Sequence, residues 1–325
     1  MTHAIRIHEL GGSDQLKWEA VDLAAPGPGE VQIQHTAVGL NFIDVYFRTG
    51  LYPAPDLPFT PGLEGAGEVT AVGDEVTELS VGDRVAYAGG PLGSYSETRN
   101  MPAGRLVKVP DGIGDGEAAA MMLQGMTAEY LLRRTYAVQP GDTILLHAAA
   151  GGVGQIATQW AKHLGATVIG TVGSEEKAEI ARGNGCDHII LYRDEDIAER
   201  VKEITNGEGV PVVYDAVGKD TFEASLNSLR KRGMMVSFGN ASGKVDAFEP
   251  VLLSQKGSLF ITRPTLFDYT ATREDLLESA NALFDVVRSG AVKIHVGQEF
   301  ALSEAKAAHD ALEGRQTVGS TILIP

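Results

Sequence analysis

The chain has 325 residues, of which 43% are apolar and 22% charged, and its formal net charge is −16. This length exceeds the usual size of a single hydrophobic core and favours two domains. The negative charge argues against nucleic acid and anionic membranes as partners, because the field of the protein repels phosphate. No apolar run is long enough to span a membrane and no signal peptide is recognisable, so we expect a cytoplasmic protein.

Residues 1–122 are rich in glycine and proline and contain short apolar runs between turn signals such as PGPGE and VGDR. The runs are EVQIQHTAVGLNF, GAGEVTAVG, DRVAYA and RLVKVP. This pattern predicts an antiparallel β domain built from short strands.

From residue 123 strand and helix patterns alternate, and the pattern at 153–164 predicts a helix that Gly165 ends. The predicted strands are TILLHA (143–148), ATVIGTV (166–172), HIILY (188–192), PVVYDAV (211–217), GMMVSFG (233–239) and SLFITRP (258–264). Alternation of this kind is typical of α/β proteins, in which helices cover both faces of a parallel sheet.

The C-terminal part contains a helical stretch, REDLLESANALFDVVRSG, and two short strands, KIHVG and GSTILIP. Because six strands already complete a doubly wound sheet, we assign residues 266–325 to the first domain. The expected organisation is therefore a mainly β domain, 1–122 completed by 266–325, and a dinucleotide-binding domain, 123–265. We expect a cleft between them.

The sequence HAAAGGVG, residues 147–154, stands between a predicted strand and a predicted helix. Against the pattern GxGxxG its key positions are Ala149, Gly151 and Gly154. Backbone N–H groups converge at such a turn, where the positive end of the helix favours an anionic diphosphate. The alternative is a glycine turn that only permits close packing.

The sequence TVGSEEK, residues 171–177, ends the second strand of this domain. NAD-binding folds place Asp or Glu there, against the ribose 2′-OH. Here Gly173 and Ser174 leave room and donors, and Lys177 follows one helical turn later. This arrangement predicts NADPH rather than NADH. Glu175 and Glu176 are alternative ribose acids, although both also suit the positive end of the next helix.

Eight stretches occur together and in order: GLNFIDVYFRTGLYP, HAAAGGVG, QWAKHLGA, GTVGSEEK, VVYDAVG, MVSFGN, KGSLFITRP and GSTILIP. Over essentially its whole length the chain resembles the NADPH-dependent quinone oxidoreductases, a zinc-free branch of the medium-chain dehydrogenase/reductase superfamily. The resemblance implies a Rossmann domain with a doubly wound parallel sheet and a GroES-like, mainly β substrate domain. It also implies a homodimer joined through the edges of the Rossmann sheets.

The resemblance further implies that no zinc is bound. Zinc-containing members of the superfamily have a cysteine where this chain has Asn41 and a histidine where it has Leu63. Neither residue supplies a thiolate or imidazole ligand. Cys186 is the only cysteine, which rules out the cysteine-rich structural zinc lobe as well.

The resemblance also assigns site residues. Those expected near the nicotinamide in the cleft are Asn41, Ile43, Asp44, Tyr46 and Thr127. Those expected at the diphosphate are Gly151, Gly152 and Val153, and those around the adenosine and its 2′-phosphate are Gly173, Ser174, Lys177 and Tyr192. The nicotinamide is flanked from the end of the sheet by Phe238, Gly239, Asn240, Arg263, Pro264 and Thr265.

A quinone is already electrophilic, so hydride transfer from the nicotinamide requires alignment and exclusion of water more than a Lewis acid. Four residues are candidates for catalysis. Asn41 can donate to a developing oxyanion, Tyr46 or Tyr52 can stack on the ring or give a proton, and Asp44 lies beside them in sequence. Each has a structural alternative: Asn41 completes a turn, Asp44 fixes a loop, and the tyrosines only line the cleft.

Two other functions remain open at this point. The first is reduction of an activated alkene such as an α,β-unsaturated carbonyl compound, which also begins with hydride delivery to an electron-poor π system. The second is a nucleotide-binding structural or regulatory protein without turnover.

Overall fold

The computed structural model describes residues 1–325, which form two compact units. The first unit comprises Met1–Met126, Thr270–Arg288 and Ile294–Pro325, and the second comprises Thr127–Tyr269 and Ser289–Lys293. Each junction lies four residues beyond the expected boundary, and the segment Ser289–Lys293 joins the second unit instead of the first.

The chain forms fifteen strands and ten α-helices. The strands are β1 (Thr2–Arg6), β2 (Lys17–Val21), β3 (Glu30–Leu40), β4 (Glu64–Val72), β5 (Arg84–Ala88), β6 (Thr98–Pro102), β7 (Val107–Lys108), β8 (Thr143–Leu146), β9 (Thr167–Val172), β10 (His188–Leu191), β11 (Val210–Asp215), β12 (Leu229–Ser237), β13 (Phe260–Thr262), β14 (Val296–Ala301) and β15 (Ser320–Ile324). The helices are α1 (Phe42–Thr49), α2 (Asp115–Tyr130), α3 (Gly152–His163), α4 (Glu175–Gly183), α5 (Ile197–Ile204), α6 (Phe222–Ser228), α7 (Val251–Gln255), α8 (Leu266–Tyr269), α9 (Arg273–Arg288) and α10 (Ala305–Glu313). A π-helical segment, Leu131–Thr135, follows α2 directly. No helix combines the length and apolar character needed to cross a bilayer.

The first unit contains a seven-stranded sheet in the order β14-β15-β3-β4-β5-β7, with β6 paired to β3, and a separate antiparallel pair, β1-β2. Every pairing in it is antiparallel except β14 with β15, which is parallel. The predicted mainly β domain is confirmed. Alternating residues of β3, Val31 and Ile33, are fully buried against neighbours such as Val69 and Tyr87, as a sheet with one covered face requires.

Two predicted strand positions in this unit are wrong. The run ending in GLNF was expected to be extended throughout, but β3 stops at Leu40 and α1 starts at Phe42, because Asn41 caps the helix. The strand expected at KIHVG, 293–297, begins at Val296 and continues to Ala301.

The second unit contains a six-stranded sheet in the order β10-β9-β8-β11-β12-β13, and every pairing in it is parallel. The six predicted strands and the Rossmann topology are thereby confirmed. Its core is an aliphatic layer that includes Leu145, Ile169, Ile190 and Val213, all fully buried. These runs are apolar throughout because a parallel sheet is covered on both faces.

Candidate functional site

The turn from β8 to α3 forms the predicted phosphate loop. Ala148 has a positive φ of 54°, and its carbonyl oxygen accepts from the Gly151 amide at 2.9 Å. A Cβ at Gly154 would overlap that same carbonyl oxygen, so only glycine lets the first turn of α3 lie this close to the end of β8.

The N-terminus of α3 has the donors that a diphosphate needs. The first amides of any helix lack intrahelical acceptors, and no side chain caps α3 and no acidic residue stands in its first turn. By contrast, Ser174 caps α4 and Asp196 caps α5 with side-chain oxygens. The amides of Gly152 and Val153 at the start of α3 therefore fit an anionic ligand.

The end of β9 shows how the predicted adenosine site is arranged. A Cβ at Gly173 would lie 2.5 Å from the Tyr192 hydroxyl, so the tyrosine reaches across the glycine backbone. Ser174 caps α4, accepting from the amide of Lys177 at 3.4 Å, and Tyr192 keeps 37% of its surface exposed. With Lys177 in the first turn of α4, these two hydroxyl groups suit a phosphate monoester.

The alternative ribose acid Glu175 is already paired. Its carboxylate lies 2.6 Å from Arg182 on the outer side of α4, and both acids of this first turn are exposed. The structure thus shows Glu175 in a surface ion pair, and the role of Glu176 stays a prediction.

The predicted nicotinamide-flanking segments meet at the carboxyl ends of β12 and β13. Arg263 donates to the Gly239 carbonyl oxygen at 3.2 Å. With the Asn240 carboxamide oriented to satisfy both its atoms, Oδ1 accepts from Arg263 at 3.0 Å and Nδ2 donates to the Gly239 carbonyl at 3.0 Å. Phe238 is half-buried and its amide donates to the Asp215 carbonyl at 2.8 Å.

The remaining nucleotide-site predictions are placed as follows. Pro264 and Thr265 follow Arg263, are half-buried and lead into α8, where the Asp268 amide donates to the Thr265 carbonyl at 3.2 Å. Thr127, the first residue of the second unit, lies on α2 and is buried.

A buried polar network begins at His147, directly before the predicted phosphate loop. The sequence did not predict this network. His147 contacts Thr171 Oγ1 at 3.0 Å and Ser225 Oγ at 2.9 Å, and Ser225 donates to Asp215 at 2.7 Å. Asp215 also accepts from Thr221 and from two backbone amides. Burial lowers the pKa of His147, so the imidazole is a neutral link between strand ends.

In the first unit, the start of α1 presents the predicted catalytic residues. Asp44 accepts from the Asn41 amide at 2.9 Å through Oδ2, and together they form a capping box. Tyr95 donates to the same oxygen at 3.0 Å. Burial raises the pKa of Asp44 to about 7, against the lowering effect of these two hydrogen bonds.

Behind Asp44, a chain of buried polar groups runs to α10. Tyr95 lies 3.0 Å from His309 Nε2, Arg48 lies 3.4 Å from His309 Nδ1, and Arg48 pairs with Glu313 at 2.7 Å. Burial, and secondly the charge of Arg48, lowers the pKa of His309 to about 3. A neutral His309 can accept from Arg48 and donate to Tyr95, which fixes its tautomer.

The Asn41 side chain lies between two residues that sequence reasoning missed. Its Nδ2 donates to Glu64 Oε2 at 2.6 Å, and its Oδ1 accepts from Gln124 at 3.1 Å. Burial raises the pKa of Glu64 to about 8, opposed by hydrogen bonds from Asn41 and Leu123. The available signal was a glutamate inside the glycine-rich apolar run GLEGAGEV, which forms a buried strand.

Two of the predicted cleft residues form an aromatic pair. The rings of Tyr46 and Tyr52 lie 5.1 Å apart at 56°, and the ring of Phe47 meets Tyr52 edge-on at 5.9 Å. Tyr46 is buried and Tyr52 is half-buried. Ile43 is half-buried in the first turn of α1, next to Asp44.

The residues at the position of a catalytic zinc do not form a zinc-binding set. Both polar atoms of the Asn41 carboxamide are used by Glu64 and Gln124, and Leu63 is a buried aliphatic residue. No group of three or more His, Cys, Asp or Glu side chains is arranged to hold a metal ion. The donor set at this position does not fit tetrahedral zinc.

Two family models match the chain in the order of its units. The alcohol dehydrogenase GroES-like domain matches residues 27–111, and the zinc-binding dehydrogenase model matches residues 152–281. Both matches agree with the resemblance stated from the sequence.

Three relatives are similar over nearly the full length of both chains. A quinone oxidoreductase from Pseudomonas aeruginosa is 54% identical over 100% of each chain. A 2-haloacrylate reductase from a Burkholderia species is 50% identical over 100% of this chain and 99% of its own. The crystal structure of Escherichia coli quinone oxidoreductase complexed with NADPH superposes with a TM-score of 0.98 at 49% identity, covering 99% of this chain and 100% of that one. The chain therefore belongs to the quinone oxidoreductases of the medium-chain dehydrogenase/reductase superfamily.

Proposed function

We propose that this protein is an NADPH:quinone oxidoreductase that reduces quinones by hydride or electron transfer from the nicotinamide, without zinc. The observation that carries the proposal is the 54% identity to a quinone oxidoreductase over the whole of both chains. The residues after β9 support NADPH as the reductant, because Ser174 carries a hydroxyl, Lys177 lies in the first turn of α4, and Glu175 is paired with Arg182.

The second unit supplies the residues that would hold NADPH, which provides the hydride when it is bound. The amides of the α3 N-terminus bind the diphosphate, and Ser174, Lys177 and Tyr192 hold the 2′-phosphate. The segments around Asn240 and Arg263, which are tied together by hydrogen bonds, flank the nicotinamide. Their mutual bonds keep this edge of the site rigid before the nucleotide arrives.

The first unit supplies the residues that act on the quinone. Asn41 donates an N–H to the quinone oxygen as negative charge develops on it. Tyr52, the more exposed member of the aromatic pair, contacts the ring, and Tyr46 supports it. Asp44 is fully buried and holds the cap of α1, so we assign it the positioning of Asn41 and not a proton transfer to substrate.

A second candidate is reduction of an activated alkene, which the 50% identity to a 2-haloacrylate reductase favours. The test measures the loss of NADPH absorbance with the purified protein and a panel of quinones, α,β-unsaturated ketones and 2-haloacrylates. We expect quinones to be turned over fastest. Rapid turnover of the alkenes with silent quinones would replace the first proposal by the second. Nucleotide binding without turnover of any acceptor would indicate a structural or regulatory protein.

We also propose that the protein is a cytoplasmic homodimer joined through the edges of the second-unit sheets. The edge strand β13 supports this, since Phe260 on it is 57% exposed and Val251 on α7 is 58% exposed. Such exposed apolar side chains are typical of association surfaces. Light scattering that gives a monomer mass would contradict the dimer, and recovery of the protein with cell membranes would contradict the cytoplasmic location.

A further inference from the structure

The carboxamide of Asn41 is held at both ends by buried partners from different elements. Its nitrogen donates to Glu64 on β4 and its oxygen accepts from Gln124 on α2, and all three side chains are buried. The two partners of Asn41 are themselves held by further hydrogen bonds. Glu64 Oε1 accepts from the Leu123 amide at 2.7 Å, and Gln124 Oε1 lies 2.7 Å from the Ser320 hydroxyl.

The chemistry of a carboxylate determines which way round the carboxamide lies. An ionised carboxylate accepts hydrogen bonds and has no hydrogen to give. The nitrogen of Asn41 must therefore face Glu64, and its oxygen must face the amide of Gln124. The Asn41 nitrogen carries two hydrogens, of which the bond to Glu64 uses one.

We propose that Glu64 is a positioning residue for quinone reduction, which orients the Asn41 carboxamide so that its second N–H is presented to the acceptor oxygen. This inference rests on the proposed function, in which Asn41 stabilises the developing charge. With the carboxamide reversed, a carbonyl oxygen would take the place of the N–H and would repel that charge.

Burial makes this orientation depend on the proton of Glu64. Because its pKa is raised to about 8, the carboxyl is protonated below that pH, and its hydroxyl then needs an acceptor. The other ionisable groups that interact with it are Asp44 from α1, Tyr87 from β5 and Tyr95. The pKa of each tyrosine is raised above 10, so both phenols remain neutral in this range. The acceptor that faces the hydroxyl is Asn41, which can accept only by turning its oxygen towards Glu64 and away from the Asp44 backbone amide of the capping box.

The variant Glu64→Gln makes the reversed orientation permanent. The backbone N–H of Leu123 can only donate, so the oxygen of the new carboxamide must face it and the NH₂ group must face Asn41. We expect kcat for a quinone to fall roughly 100-fold, as when one oxyanion donor is lost, while KM for NADPH stays unchanged. We also expect the rise of wild-type kcat with pH near about 8 to be absent from the variant.

The double variant Asn41→Asp with Glu64→Gln separates positioning from stability. The carboxylate introduced in place of Asn41 can accept both from the amide introduced in place of Glu64 and from Gln124. Every buried hydrogen bond is then satisfied, but no N–H is offered to the acceptor. We expect urea unfolding to return to nearly the wild-type midpoint, and kcat to remain as low as in the single variant. If Glu64→Gln does not fold, Glu64→Asp keeps the carboxylate and must retain the pH-dependent rise in kcat.

The outcomes distinguish this inference from the function on which it rests. If the wild-type protein does not reduce quinones, both the proposed function and the positioning role of Glu64 are contradicted. An active wild type with an equally active Glu64→Gln variant overturns the positioning role of Glu64 alone. Recovery of kcat in the double variant, which lacks the Asn41 carboxamide, overturns the role of Asn41 as the donor and with it that of Glu64.

Discussion

Glu64 is a carboxyl group inside the first unit, and its ionisation costs folding free energy. Its pKa rises from 4.5 to about 8 on burial, so its stabilising contribution is complete below the unfolded pKa and is lost as the pH rises through the folded one. Asp44 behaves in the same way up to its pKa of about 7. The buried His35 and His309 have the opposite sign, since their lowered pKa values, about 4 and about 3, cost stability only as the pH falls below about 6.5.

Above about pH 7 these two histidines contribute little, because they are neutral in both the folded and the unfolded state. Between about pH 6.5 and about pH 9, Glu64 alone should reduce the free energy of unfolding by about 2 kcal/mol. Urea unfolding of the wild type and of Glu64→Gln at several pH values measures this difference in slope. Equal slopes for the two proteins would show that Glu64 is already ionised at pH 6.5.

At the scale of elements, the phosphate loop depends on the close approach of α3 to β8. Gly154→Ala places a methyl group against the Ala148 carbonyl oxygen, and the helix must move away from the strand end. We expect a loss of about 1–3 kcal/mol in unfolding free energy together with weaker NADPH binding, measured by urea unfolding and by calorimetry.

The matched control is Gly183→Ala, at the exposed end of α4, where a Cβ has no neighbour within 4 Å. This change should leave NADPH affinity unaltered and stabilise slightly, because alanine favours a helix. An unaltered NADPH affinity in Gly154→Ala would mean that the diphosphate does not bind at this turn.

The strands of the second unit could be predicted from the sequence, whereas the side-chain contacts of Asn41 could not. The six strands of the second unit were predicted because each is a continuous apolar run between helical patterns, and that local signal determines the sheet. The contacts of Asn41 were not predicted, since Glu64 and Gln124 lie 23 and 83 residues away in the chain. Only the tertiary fold brings these three side chains together.

The start of α1 was missed because the sequence around Asn41 is compatible with more than one local structure. The run ending in GLNF alternates like a strand up to Leu40, and Asn41 is equally suited to a turn or a helix cap. Its capping role depends on Asp44 three residues later, in a pattern that is weak by itself. Tertiary packing of Asp44 against Tyr95 reinforces it.

At the scale of the whole molecule, the net charge of −16 requires that an anionic cofactor be captured by local groups. The amides at the start of the uncapped α3 fit a diphosphate, and Lys177 is the cation expected at the 2′-phosphate. Both belong to the second unit, whose fold and sequence agree with those of an NADPH-bound quinone oxidoreductase. Recognition of the 2′-phosphate is therefore the central physical claim of the account.

Calorimetric titration of NADPH and NADH into the wild type, Lys177→Ala and the control Lys202→Ala tests that claim most directly. Lys202 is an exposed lysine of the same unit, so its removal changes the net charge equally. We predict that Lys177→Ala weakens NADPH binding roughly 10-fold to 100-fold and leaves NADH binding nearly unchanged, whereas the control binds both nucleotides like the wild type. Equal losses for the two nucleotides, or a wild type that binds NADH more tightly than NADPH, would contradict the account.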